Sequence, residues 1–238
     1  MEKIQLIIVA IAIYAALASP PHRRIVGGTT ASPGQFPFIA SLNDPEELCG
    51  ASIITQNWLL TAAHCIEFAR PTSVIVVGTT FQHSGGTRYN ITQMIKHENF
   101  SWTPIKDDIA LIQIDGEFEF DDLVQPVEFS DPEAGTTCVT AGWGTIDDGS
   151  YPEELRYVEM EVLSLDECKE IDPSVDDREV CAEGVEGKGA CGGDSGGPLV
   201  CGGKLVGVVS YGLAECGEGA DVYTRPSAYV DWIKEHIE

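Results

Sequence analysis

The sequence predicts an all-β protein closed by a helix at its C-terminal end, on three observations. Short runs rich in Val, Ile and Leu recur along the chain, clusters of Gly, Pro, Asn and Asp separate them, and convincing helical periodicity appears only near the end. The runs are Phe36 to Leu42, Ala51 to Ile54, Ser73 to Val77, Ile109 to Ile114, Cys138 to Ala141, Pro198 to Cys201 and Leu205 to Ser210. They read as a barrel or a sandwich. A chain of 238 residues has room for one or two compact domains, and 43% apolar residues suit a packed core rather than a disordered chain.

Taken in order, the chain opens with Lys3 before an apolar run from Ile4 to Ala18 that ends in Ala16-Leu17-Ala18, small residues at signal-peptidase spacing. Residues 1–18 therefore read as a signal peptide; an uncleaved membrane anchor is the alternative, but the run is shorter than the roughly 20 residues a spanning helix needs. Residues 19–24, Ser-Pro-Pro-His-Arg-Arg, are polar and stiffened by proline, and they read either as a linker or as an activation segment cut after Arg24 to free Ile25. Ser164 and Glu167 have the spacing of a capping box for a short helix. Pro226-Ser227 opens the terminal helix, with Tyr229, Val230, Trp232, Ile233 and Ile237 near helical spacing. No repeat of fixed period occurs, which argues against solenoids and propellers.

Charge and cysteines narrow the partners and the compartment. Fourteen bases against 38 acids give a formal charge of −24, and loss of residues 1–24 would leave 11 bases, 37 acids and −26. Such a field opposes nucleic acid and keeps the protein soluble. The eight cysteines form no C-x-x-C pair, so paired disulfides outrank a zinc ribbon or a redox motif, and an oxidising compartment follows.

Three segments carry the chemistry. Leu60-Thr61-Ala62-Ala63-His64-Cys65 offers a histidine, Asp108-Ile109-Ala110-Leu111 an acid at a strand entrance, and Gly192-Gly193-Asp194-Ser195-Gly196-Gly197-Pro198 a serine in a glycine-rich loop. A serine hydroxyl is a weak nucleophile at neutral pH. It needs an imidazole to take its proton and a carboxylate to hold the imidazole's tautomer, and glycines let backbone N–H groups face a developing oxyanion. By composition alone Asp107 is as good an orienting acid as Asp108.

These segments, together with Ile25-Val26-Gly27-Gly28, resemble the trypsin and chymotrypsin family of serine endopeptidases, and the likeness spans residues 25–238. The resemblance implies two packed six-stranded antiparallel barrels, the first about 25–125 and the second, with the C-terminal helix, about 126–238. It implies that Ser195 attacks the scissile carbonyl, that His64 is base then acid, that Asp108 orients His64, and that the amides of Gly193 and Ser195 form the oxyanion hole. It selects Asp108 over Asp107, which is then expected to be solvated. Cleavage after Arg24 would let the Ile25 amine turn inward to pair with Asp194, making the protein a zymogen. The resemblance also implies the bridges Cys49–Cys65, Cys138–Cys201, Cys168–Cys181 and Cys191–Cys216.

The specificity residues depart from the commonest patterns. Gly189 stands six residues before Ser195, where trypsin-like enzymes carry Asp; Tyr211 stands between Ser210 and Gly212, where Trp is usual; and Asp221 takes a position that is usually glycine. Gly189 with Asp221 resembles the brachyurins, the crustacean collagenolytic serine proteases, and related arthropod digestive enzymes. An acid moved from pocket floor to side wall would still attract Arg or Lys, while an uncharged floor admits Phe, Tyr, Leu or Met. Mixed primary specificity is the expectation; the alternative is that Asp221 faces solvent or is neutralised by Lys188, leaving a narrow chymotrypsin-like pocket. Collagenolysis rests on the resemblance alone.

No cofactor or metal is expected, because Gly78 to Gly86, which follows the histidine region where calcium-binding members place carboxylates, contains none. His83 and His97 read as surface residues. Asn90-Ile91-Thr92 and Asn99-Phe100-Ser101 fit the glycosylation pattern near loops of the first barrel. The expected partners are protein and peptide substrates, an activating protease and protein inhibitors, with no nucleic acid, no membrane after signal removal, and a secreted monomer. An inactive homologue acting as a binding module, or a structural β-protein, fits less well, since His64, Asp108 and Ser195 all stand.

Overall fold

The computed structural model describes residues 28–44, 48–146, 149–184 and 188–237. The expected signal and activation segments, including Arg24 and Ile25, lie outside the described residues, as do Glu46, Glu47, Asp147 and Asp148. Strand β1 (Thr29–Thr30) is followed by β2 (Ile39–Asn43), β3 (Leu48–Ile53), β4 (Trp58–Thr61), helix α1 (Ala63–Phe68), β5 (Val74–Val77) and β6 (Thr87–Lys96). A two-stranded hairpin, β7 (Ser101–Trp102) and β8 (Ile105–Lys106), precedes β9 (Ala110–Ile114). Strands β2, β3, β4, β9, β6 and β5 pair antiparallel in that order and close into a barrel. Ile53, Leu59, Leu60, Ile75, Leu111 and Ile112 of its strands are fully buried, on one face or the other of the barrel wall.

The second half runs through β10 (Thr137–Gly142), β11 (Arg156–Val162), α2 (Leu165–Ile171), β12 (Glu179–Gly184), β13 (Pro198–Cys201), β14 (Lys204–Gly212) and β15 (Ala220–Thr224). A 3-10 turn, Pro226–Tyr229, then leads into α3 (Val230–Ile237). The order β11, β10, β13, β14, β15, β12 closes on itself where β12 returns to β11, and β1 lies on the outer edge of β11. Two six-stranded antiparallel barrels result, as the resemblance implies. Val200, Leu205, Val208, Tyr229 and Ile233 pack into the core of the first barrel, so the second barrel and the terminal helix share it. Strand β14 slips register between Val209 and Tyr211, leaving Ser210 opposite no partner on β15.

Local rules account for the helix ends. Ser164 Oγ accepts from the Glu167 amide at 3.2 Å while a Glu167 carboxylate oxygen accepts from the Ser164 amide at 2.9 Å, the reciprocal capping box. Disulfides join Cys49 to Cys65, Cys138 to Cys201, Cys168 to Cys181 and Cys191 to Cys216, and no described cysteine is free.

Two expectations of surface position are overturned. Asp107 is only 8% exposed: its Oδ1 accepts from Arg178 at 2.5 Å and from the Tyr229 hydroxyl at 2.8 Å. His97 is likewise 8% exposed, its ring 5.3 Å from Tyr229 and 5.0 Å from Trp232, because the terminal helix folds back over it. His83 is exposed as expected. Asn90 is exposed but sits within strand β6 rather than in a loop, and Asn99 is exposed in the turn before β7.

Candidate active site

Strand β4 ends at Thr61 and the chain turns at once into α1, which sets His64 in the cleft between the barrels with Cys65 tied back to β3. His64 Nδ1 lies 2.7 Å from Asp108 Oδ2, and the His64 amide donates to Asp108 Oδ1 at 2.9 Å. Asp108 is 1% exposed, and two further groups from the second barrel hold it: Ser210 Oγ donates to Oδ2 at 2.5 Å, and Thr224 Oγ1 donates to the Asp108 carbonyl at 2.8 Å. A buried carboxylate oriented by three donors can fix the imidazole in one tautomer. Ser210 and Thr224 were not legible as its partners, since they follow it by more than a hundred residues.

Asp107, the other acid of the pair, turns away from His64 with φ +51° and meets Arg178 and Tyr229 instead. Arg178 is held charged by Asp176 first and by Asp107 as well. Next to it, Lys106 pairs with Glu179 on β12, whose other oxygen accepts from the Tyr211 hydroxyl at 3.4 Å. The two acids thus divide the work: one faces the histidine, and the other helps fasten the barrels together.

The serine loop is built on glycines. The Gly50 amide donates to the Ser195 carbonyl at 2.8 Å, and a Cβ on Gly196 would lie 2.2 Å from Thr61 Oγ1, so the loop rests directly on the first barrel. The amides of Asp194, Gly196 and Gly197 donate to Cys191, Val209 and Asp194 carbonyls. Those of Gly193 and Ser195 have no acceptor among the described residues, and Gly193 has φ +100°, a conformation side chains disfavour. Two adjacent unpaired N–H groups beside a serine hydroxyl can receive an oxyanion. Asp194 is buried beneath them, accepting from the Gly144 amide at 2.7 Å and the Cys191 amide at 2.9 Å; burial pushes it up to about 6 against those two hydrogen bonds.

A sequence model of the trypsin family matches residues 25–233. The chain belongs to the trypsin family. It is 36% identical over 221 residues to Trypsin II-P29 of Gallus gallus, covering 90% of this chain and 89% of that one. Chymotrypsin-2 of Vespa crabro is 35% identical over 218 residues, covering 89% and 99%. Among solved structures, neuropsin, a serine protease expressed in the limbic system of mouse brain, superposes with a TM-score of 0.81 at 31% identity over 89% of this chain and 99% of that chain. The chain is accordingly a serine endopeptidase.

The pocket of this trypsin-family chain is a cavity of about 180 Å³ beside Ser195, lined by Ala190, Val209, Ser210, Tyr211, Gly212 and Asp221 among others. Asp221 is 6% exposed and accepts from the Ala190 amide at 2.7 Å. A Cβ on Gly189 would lie 2.9 Å from Asp221 Oδ2, so the carboxylate fills the space that a side chain at 189 would take. Its other oxygen lies toward Gly212, where a Cβ would come within 3.4 Å, and the carboxylate neither faces solvent nor pairs with Lys188. Desolvation pushes Asp221 up to about 7, the Ala190 amide acting against this and the nearby Asp194 charge adding to it. One cluster with metal-ligating atoms occurs among the described residues, Cys49, His64 and Cys65, but its two sulfurs are joined in a disulfide.

Proposed function

We propose that this chain is a secreted zymogen, activated by cleavage after Arg24, whose mature form hydrolyses peptide bonds with mixed primary specificity. The single observation that carries the mechanism is the buried Asp108 carboxylate 2.7 Å from His64 Nδ1. His64, with Nδ1 bound to Asp108, takes the Ser195 proton at Nε2 as the hydroxyl oxygen adds to the scissile carbonyl. The Gly193 and Ser195 amides receive the oxyanion, His64 returns the proton to the leaving amine, and water repeats the cycle on the acyl-enzyme. Asp108 holds the imidazole in place and stabilises the imidazolium that forms.

Activation follows from Asp194. A buried carboxylate with no cation among the described residues is unfavourable in its charged form, and a freed Ile25 amine supplies that cation. A small cleft beside Asp194, lined by Gly142, Arg156, Tyr157 and Gly189, suits the Ile25 side chain. Four disulfides fit the oxidising space outside the cell, in line with residues 1–18 as a signal peptide.

Asp221 supports the brachyurin-like reading of specificity. Ionised, it draws an Arg or Lys side chain into the pocket; neutral, it leaves Ala190, Val209 and Tyr211 to receive an aromatic or aliphatic one. Because it titrates near 7, a narrow chymotrypsin-like preference is the reading favoured in mild acid.

Labelling Ser195 with an organophosphonate before and after tryptic cleavage tests the whole: label enters only after cleavage and Asp194→Asn abolishes it. No labelling after cleavage refutes the assignment in favour of a binding module. A peptide library then separates the pocket readings. Asp221→Asn removes Arg cleavage and spares Phe cleavage if the carboxylate selects the basic side chain.

A further inference from the structure

A cavity of about 210 Å³ lies between helix α2 and strands β11 and β12, and it shares no lining residue with the one beside Ser195. Its aliphatic walls come from four pieces of chain: Val162 at the end of β11, Leu165 on α2, Val175 in the loop that follows, and Val180 on β12. The three valines are buried. An engineered apolar cavity of about 150 Å³ admits benzene, so one of about 210 Å³ admits a ring with a short arm.

Two ionisable groups stand in the wall, Glu179 and Arg225, and their circumstances differ. Glu179 is fully engaged: Lys106 pairs with one carboxylate oxygen, the Asp176 amide donates to the same oxygen at 3.1 Å, and the Tyr211 hydroxyl donates to the other at 3.4 Å. Arg225 is not. Its Nη2 donates to the Glu179 carbonyl at 3.3 Å, its Nη1 stands 3.9 Å from Asp131 Oδ1, and its Nε is buried with no acceptor among the described residues. Asp131 is exposed and its Oδ1 also accepts from the Ser227 hydroxyl, so it is a weak partner for a guanidinium. A guanidinium carries five donors in a planar fork that matches a carboxylate, and a buried donor left unmade is costly. The base beside an aliphatic cavity thus has most of its hydrogen-bonding capacity unspent. A formal charge of −24 opposes an anion at a distance, but salt confines that field to about 8 Å at physiological ionic strength, so the contact with Arg225 decides.

We propose that this cavity is a binding site for a small organic carboxylate, its apolar body held between Val162, Leu165, Val175 and Val180 and its acid group on the Arg225 guanidinium. The site stands apart from Ser195 and does not depend on the proteolytic reading.

The test uses the full chain carrying Ser195→Ala, which prevents self-digestion, with phenylacetate as the ligand and 2-phenylethanol as its uncharged counterpart of similar shape. Methyl resonances are followed by NMR during each titration. Phenylacetate shifts the methyls of Val162, Leu165, Val175 and Val180 saturably and leaves those of Val209, which lines the cavity beside residue 195, in place. The alcohol binds about tenfold more weakly or worse, the loss expected when a hydrogen bond to a charged group becomes a neutral one. Arg225→Gln weakens phenylacetate by a similar factor and leaves the alcohol unchanged, whereas Leu165→Trp, which fills the cavity from the helix, removes both. Thermal unfolding midpoints close to the parent's show that each variant folds; were Arg225→Gln to unfold, the acid and alcohol affinities of the parent chain decide. Equal affinities for acid and alcohol, shifts confined to Val209, or no saturable shift at the four named residues each overturn the proposal.

Discussion

Replacing Asp221 by Asn measures what a carboxylate in the pocket costs the fold. In the unfolded chain an aspartate titrates near 3.8; in the folded protein desolvation raises Asp221 to about 7. A group whose folded value is raised binds its proton more tightly in the folded state, so its stabilising effect is complete below about pH 4 and is lost as pH rises toward 7. At about 1.4 kcal/mol for each pH unit, the gap amounts to roughly 4 kcal/mol once the carboxyl ionises. Asn keeps an oxygen to accept from the Ala190 amide and never ionises. In a Ser195→Ala background, which prevents self-digestion, denaturant unfolding of the two chains should give a stability difference that is nearly constant below pH 4. It should grow in favour of Asp221→Asn between pH 4 and 7 and level off by pH 8. Asp194 titrates in both proteins, so its contribution largely cancels. A difference that stays flat from pH 4 to 8 would refute the placement of the carboxylate in a dry pocket.

Ser210→Ala removes one of three donors to the buried Asp108 carboxyl, a loss of about 1.5–3 kcal/mol, and kcat/KM is expected to fall by about 10- to 100-fold; a change under about twofold would place the hydroxyl outside the mechanism. Gly144→Ala would set a Cβ 2.3 Å from Asp194 Oδ2 and is expected to destabilise by more than about 2 kcal/mol and to slow organophosphonate labelling of Ser195, as followed by mass spectrometry. Asp107→Ala strips acceptors from Arg178 and Tyr229 at a left-handed position, and unfolding should show a loss of about 3 kcal/mol with the His64–Asp108 contact intact.

Much of the site was legible because its chemistry lies in contiguous motifs: the residues flanking His64, Asp108 and Ser195 each fix a turn locally. The strands were legible only where burial is on both faces or the run is short and aliphatic, as in Val74–Val77, Ala110–Ile114 and Pro198–Cys201. Strand β6, Thr87–Lys96, went unseen because it alternates poorly, with most of its side chains half or fully exposed. Strand β11 did carry a two-residue period, with Val158, Met160 and Val162 buried and Glu159 and Glu161 exposed, a signal hidden by its charges. Asp107 and His97 were misplaced for one reason. Their burial comes from Arg178, Tyr229 and Trp232, residues supplied by the far end of the chain, and no local pattern announces a contact across 71 or more positions.

The slip in β14 reaches beyond the strand that contains it. A regular pairing would bind residue 210 to the two-residue rhythm of its neighbours; left out of step, Ser210 spends its hydroxyl on an acid from the other barrel while its main chain stays clear of β15. Shortening the β13–β14 hairpin would leave this joint untouched, whereas deleting one residue between Val209 and Tyr211 would restore a perfect ladder and uncouple the acid from the pocket. Greater regularity there would make a tidier sheet and a poorer enzyme.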